Sequence, residues 1–86
     1  MAKTKEQIQE ELKTLLLKII DIDPDELKPN AHFFKDLGVD SIKAIEMTVS
    51  IEKHFKIVIE EEKIQDLTTL SRTADVIAEM LDKKRT

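Results

Sequence analysis

Apolar residues recur at helical spacing in three blocks of this chain, separated by two acidic stretches. Ile8, Leu12, Leu15, Leu16, Ile19 and Ile20 stand three or four residues apart and form one stripe on a first helix. Pro24 disfavours helical geometry in the residue before it, so this helix cannot run far past Asp23. A second helix is expected from Ser41 to about Phe55, with Asp40 or Ser41 supplying the side-chain oxygen that caps it. A short helical segment is expected around Glu61–Leu67, and a last helix from about Leu70 to Lys83, capped by Thr69, with Leu70, Ala74, Ile77 and Leu81 inward. The run from Phe55 to Ile59 has no second strand to pair with and reads as a buried connector. The pattern predicts an all-α fold: a small bundle of three main helices and one short one, with a long structured first loop.

That loop, Asp21 to Asp40, holds Leu27, Phe33, Phe34 and Leu37 beside Pro24, Pro29 and Gly38. A connection this long in a small domain is functional or held by its own side chains. Both phenylalanines are therefore expected to pack back onto the helices.

On the second helix, a rotation of about 100° per residue puts Ala44, Met47, Thr48, Ile51 and Phe55 on one arc, which belongs in the core. Ile42, Ile45 and Val49 fall on a separate arc, flanked by Glu46, Glu52, Lys53 and Lys56. Either Phe33, Phe34 or the third helix covers this second stripe, or it is a surface for partners, since rimmed apolar patches mark interaction sites.

With 86 residues, 41% apolar and 37% charged, the chain is read as a single domain, 1–86, with a modest core. There is no cysteine, so no disulfide, thiolate metal site or protein thiol takes part in its chemistry. The net charge of −4 argues against nucleic acid and anionic membranes as partners. It is uneven: +1 over residues 1–20, −4 over 21–40, +1 over 41–56, −3 over 57–70 and +1 over 71–86. No apolar run approaches the about 20 residues of a membrane span, and the opening Met-Ala-Lys-Thr-Lys lacks the apolar core of a signal peptide. A cytoplasmic monomer is expected, and the closing Lys83-Lys84-Arg85-Thr86 reads as a frayed helix end.

Most candidate chemistry fails on its spacing. Asp21, Asp23 and Asp25 resemble the start of a calcium loop, but Glu26 stands where the turn glycine belongs and His32 where the bidentate Glu belongs. Asp25 and Glu26 instead suit the start of a helical turn after Pro24. His32 and His54 are isolated, without a second ligand at fixed spacing, so no metal site is assigned. No nucleophile elbow exists, and no catalytic residue is assigned. Ser41 is different. It stands where a loop becomes a helix, next to unpaired backbone N–H groups that suit a phosphate ester, with Gly38 permitting a sharp turn just before. Its other reading is a plain helix cap.

The run Asp36-Leu-Gly-Val-Asp-Ser41-Ile-Lys-Ala-Ile-Glu46 resembles the Asp-Ser-Leu attachment motif of the acyl carrier protein family. Phe33 before it, Phe55 after it, and Leu67-Thr-Thr-Leu70 entering the last helix extend the resemblance over nearly the whole chain. It implies that Ser41 carries 4′-phosphopantetheine through a phosphodiester, added from coenzyme A by a separate phosphopantetheinyl transferase (holo-carrier synthase). Acyl groups then ride as thioesters on the terminal thiol, for fatty-acid, polyketide or related specialised lipid synthesis. The resemblance implies a non-catalytic carrier served by acyl-loading, ketosynthase and acyltransferase-type enzymes. It gives Asp40 a part in recognition by the modifying enzyme, and places Asp36, Ile42, Ile45, Glu46 and Val49 on the partner-facing surface. The acyl chain is expected to shelter among the second helix, the short third segment and the apolar loop, against Phe33, Ile59 and Ile64. Lys43, Lys53, His54 and Lys56 depart from the acidic fatty-acid pattern, and the form Gly-Val-Asp-Ser-Ile-Lys looks more like a free-standing carrier of a dedicated polyketide or polyunsaturated fatty-acid pathway. Two alternatives stay open: a carrier of aminoacyl groups, which Val39-Asp40 in place of Gly-Gly disfavours, and an unmodified helical adaptor binding through Ile42, Ile45 and Val49.

Overall fold

A computed structural model describes residues 3–85, with side chains described through Lys83. Four α-helices form: α1 (Lys5–Leu16), α2 (Ser41–Phe55), α3 (Glu61–Ile64) and α4 (Leu70–Arg85), with a 3₁₀ turn at Pro24–Glu26 in the long first loop. The frayed end expected over residues 83–86 is helical through Arg85, and Thr86 lies outside the described residues.

Helix α1 opens with a reciprocal cap. The Gln7 N–H donates to Thr4 Oγ1 at 3.1 Å, and the Thr4 N–H donates to Gln7 Oε1 at 2.9 Å, so two orphan donors are satisfied at once. The helix ends at Leu16, seven residues before Asp23, so Pro24 is not what stops it. The chain tightens there, with the N–H groups of Ile19 and Ile20 both donating to the Leu16 carbonyl. Ile20 still reaches the core from this turn, beside Ile8, Leu12 and Leu16 of the helix.

Helix α1 packs chiefly on α4 and also on α2. Lys5 pairs with Asp75 of α4 at 2.8 Å. Glu11 accepts from Lys3 at 2.8 Å and lies 3.1 Å from His54 Nε2 of α2. The Lys3 hydrogen bond, then that of His54, holds the Glu11 carboxyl below its ordinary range. Exposed pairs of this kind contribute about 0–1 kcal/mol each, so the bundle rests on its apolar core. The buried hydroxyls of Thr48 and Thr73 donate to carbonyls one helical turn back, Ala44 at 2.9 Å and Thr69 at 2.7 Å, and add no unpaired polar atom.

The connector after α2 alternates as a buried segment should: Ile57 and Ile59 point inward and Val58 outward. Lys56 takes a left-handed conformation (φ 56°) to end α2, and the Glu52 carboxylate accepts the Ile59 N–H at 2.9 Å. Helix α3 is shorter than expected and gives way to a turn at Gln65–Asp66 before Leu67 enters the core. Thr69 caps α4 by accepting the Arg72 N–H at 3.0 Å.

The long loop behaves as core rather than as linker. Leu27 and Phe33 are fully buried. Two backbone bonds pin the loop to the start of α4: Phe33 N–H to the Thr68 carbonyl at 2.8 Å, and Ser71 N–H to the Pro29 carbonyl at 2.9 Å. Phe34 departs from the expectation. It stays 46% exposed, although it lines the same apolar cavity as Phe33. Leu27→Ala is expected to lower unfolding free energy by about 2–5 kcal/mol, as for any filled core site. Val58→Ala, at an exposed connector position, is expected to stay within about 0.5 kcal/mol. Denaturant unfolding of the two variants decides whether the loop is structural core.

Candidate functional site

The site is built where the loop meets α2. Residues 33–37 form a tight turn, with the Asp36 and Leu37 N–H groups donating to the His32 carbonyl at 2.8 and 3.1 Å. Gly38 follows at φ 67°, a region that other L-residues enter only with strain. A Cβ there would meet nothing within 4 Å, so the requirement for glycine is conformational and not one of space. The Val39 N–H then closes back on the Phe33 carbonyl at 2.9 Å, and Val39 is buried. These contacts deliver Asp40 and Ser41 to the helix start on a fixed path.

Asp40 is the cap. Its backbone is extended (φ −94°, ψ 179°) and its Oδ1 accepts the Lys43 N–H at 2.8 Å. Ser41 is the first residue inside the helix. Its side chain is exposed, and no described residue hydrogen-bonds its hydroxyl. The choice between Asp40 and Ser41 as cap is thereby decided, and the serine oxygen is left for other chemistry.

The two faces of α2 separate as their periodicity demands. Met47, Thr48, Ile51 and Phe55 are buried and Ala44 is half-buried. Ile42, Ile45 and Val49 are 69%, 64% and 41% exposed, so neither phenylalanine nor α3 covers them. Glu46 is exposed and lies 3.6 Å from Lys43 Nζ, one turn earlier. Asp36 is exposed too, but its Oδ2 accepts the His32 N–H at 2.8 Å, so part of its role is to hold the turn. Beneath the site lies an apolar cavity of about 30 Å³, small enough for one water, lined by Phe33, Val39, Met47, Ile51, Ile64 and Leu67 among others. Phe33 and Ile64, two of the residues expected to shelter an acyl chain, line it. Ile59 is buried elsewhere in the core and does not.

The family described as phosphopantetheine attachment site matches residues 10–77, which runs from Glu10 in α1 through the first half of α4. The chain belongs to this family. It is similar to an acyl carrier protein of Petrotoga mobilis, 28% identical over 92% of this chain and 93% of that protein. It is also similar to polyketide-8 synthase acyl carrier protein 2 of Streptomyces avermitilis, 32% identical over 90% of this chain and 88% of that protein. A third relative, an acyl carrier protein of Picosynechococcus, is 28% identical over 86% of this chain and 91% of that protein.

The acyl carrier family, phosphopantetheine-binding and helical, is therefore the one to which this carrier belongs, and 4′-phosphopantetheine is its cofactor. The residues present fit that group: an exposed, unengaged hydroxyl at a helix start, free first-turn N–H groups beside it, and an apolar cavity adjoining. Carriers of this kind work with synthase and transferase enzymes. Among the described residues no group of three potential ligands is arranged to hold a metal, and no helix is long and apolar enough to cross a membrane.

Sequence reasoning missed the part played by His32, whose ring nitrogen accepts the N–H groups of Phe34 and Lys35. Histidine is not among the usual capping residues, so its spacing carried no signal. It also missed Glu52, whose engagement with the connector leaves Lys53 as the exposed charge one turn beyond Val49. Since Asp40 caps α2 and the Ser41 hydroxyl bonds nothing described, Asp40→Ala is expected to destabilise by about 1 kcal/mol. Ser41→Ala is expected to change stability by less than half of that. Equilibrium unfolding of the pair tests the assignment, and equal losses would return Ser41 to a capping role.

Proposed function

We propose that Ser41 is the attachment residue, joined to 4′-phosphopantetheine through a phosphodiester on Oγ. The observation that carries this reading is the division of labour at the helix start: Asp40 satisfies the backbone, and the Ser41 hydroxyl is exposed and unengaged. The thiol of the bound group supplies the thioester chemistry that a chain without cysteine lacks. Asp40 adds a negative charge beside the hydroxyl, suited to a metal-bound phosphate donor held by the transferase. The chain itself catalyses nothing on this reading. It acts as one carrier domain over residues 1–86, a cytoplasmic monomer that presents acyl intermediates to loading, ketosynthase and acyltransferase-type enzymes.

Ile42, Ile45 and Val49 form the apolar centre of the docking surface, with Asp36 and Glu46 on its rim. Apolar centre and charged rim divide the work: the centre supplies affinity, and the rim sets approach rate and discrimination. Lys43 partly neutralises Glu46 at 3.6 Å, and Lys53 stands exposed further along. A helix so charged suits a dedicated pathway, polyketide or related specialised lipid synthesis, better than general fatty-acid enzymes with basic docking patches. The polyketide relative at 32% identity supports the same direction.

Incubation with coenzyme A and a phosphopantetheinyl transferase, followed by intact-mass measurement, tests the attachment. The wild type is expected to gain one phosphopantetheine and Ser41→Ala none. A gain on the variant overturns the assignment, and an unmodified wild type favours the adaptor reading. For the docking surface, Lys43→Asp with Lys53→Glu is expected to raise the rate with a general ketosynthase at low salt, with the gain shrinking as salt screens charges beyond about 10 Å. No gain at low salt would show that apolar shape alone selects the partner.

A further inference from the structure

The turn that delivers Ser41 is capped by a histidine. The N–H groups of Phe34 and Lys35 both point at His32 Nδ1, at 3.2 and 3.1 Å. A neutral imidazole has one nitrogen that accepts and one that donates, and two converging donors require Nδ1 to be the acceptor. The proton of the neutral ring therefore belongs on Nε2. His32 is held at three further points: its own N–H donates to Asp36 Oδ2, its carbonyl accepts from Asp36 and Leu37, and its backbone bridges Thr69 at the start of α4. The side chain thus does here what Ser, Asp or Asn does at an ordinary helix start, with an acceptor that a proton can remove.

The geometry points to His32 as a positioning residue for the modification of Ser41, active when neutral: protonation of Nδ1 abolishes the acceptor, sets an N–H against two backbone N–H donors and loosens the turn at 33–37. The inference rests on Ser41 being the attachment residue. Its reach to Ser41 is direct in the chain, because the same turn fixes Gly38 and, through the Phe33–Val39 bond, the approach of Asp40. Histidine is the side chain that ordinarily changes charge between about pH 5 and 8. The charged groups on the segments meeting at His32 are Lys35 and Asp36 of its own turn, then Asp25, Glu26 and Lys28, which line one cleft with Asp36. Across the bridge stand Asp66 and Arg72, paired at 3.7 Å on either side of Thr69. Asp36 is the one bonded to His32, and it holds the backbone N–H rather than the ring. Loss of the ring acceptor therefore frees the Phe34 and Lys35 N–H groups inside the turn whose backbone bonds set the path to Gly38 and Asp40, while the Phe33 anchor to Thr68 persists.

The test uses the full chain and two variants, His32→Asn, whose amide oxygen can accept at every pH, and His32→Ala, which cannot accept at all. Amide exchange of Phe34 and Lys35 is followed by NMR from about pH 5 to 8, beside the titration of the His32 ring. In the wild type these amides are expected to exchange roughly five- to tenfold faster, relative to intrinsic rates, once the ring is protonated, the factor that loss of one capping interaction represents. His32→Asn is expected to keep them protected throughout, and His32→Ala to leave them open throughout. The rate of phosphopantetheine transfer to the wild type, divided by that to His32→Asn to remove the transferase's own pH dependence, is expected to fall with the same midpoint as the ring titration. Phe34 and Lys35 exchange that ignores the ring titration overturns the proposal, as does the same pH dependence in His32→Asn. A flat rate ratio overturns the positioning role. If no protein takes the group at any pH, the reading of Ser41 fails instead, and the amide data still decide whether protonation opens the turn.

Discussion

A phenylalanine in the middle of the long first loop lies buried in the bundle, its N–H bonded to the Thr68 carbonyl at the entrance to α4. This anchor converts a long connection into a fixed part of the fold. With the Phe33 ring in the core and Leu27 beside it, the chain between Pro24 and Asp40 has few ways to run. The turn after Phe33, the left-handed Gly38 and the cap at Asp40 follow from that restriction. A loop free of these contacts would present Ser41 on an ensemble of paths, and fixing it would cost about 1–2 kcal/mol per residue.

The same end of the bundle carries both the hydroxyl and the apolar stripe, and the helix period explains why. Ser41, Ile42, Ile45 and Val49 fall on the side of α2 that turns away from α1 and α4, since Met47, Ile51 and Phe55 occupy the opposite side. The exposed hydroxyl of Ser41 and the exposed apolar stripe are thus neighbours on one helix rather than on separate loops. On the function proposed above, this arrangement lets a partner engage the stripe and reach the group on Ser41 in a single encounter.

Charge refines this surface without determining the fold. The acidic first loop precedes a second helix whose two lysines balance its two glutamates, with Lys56 adding a positive charge just past its end, and the local pairing of Lys43 with Glu46 reduces the field at the start of the stripe. Glu52 is withdrawn from the rim by its bond to the Ile59 N–H, a structural duty that leaves basic groups more prominent toward the end of α2. The balance between acid and base around the stripe is therefore partly a by-product of how the connector is held in place.

Periodicity alone determined the all-α class, the span of α2, the start of α4 and the separation of two faces on α2, because side-chain direction on a helix follows from residue spacing. The motif around Ser41 was legible only through its resemblance to a known family, and the loop's return to the core was legible from its apolar content. Only the tertiary structure decided that Asp40 caps and Ser41 does not, since both can accept the same N–H and the choice depends on where the loop places each backbone. It also decided that Phe33 goes in while Phe34 stays out, that α1 stops at Leu16, and that Ile59 misses the cavity. His32 is the clearest case. Its role depends on two N–H groups converging on one ring nitrogen, a matter of turn geometry that no spacing along the chain encodes.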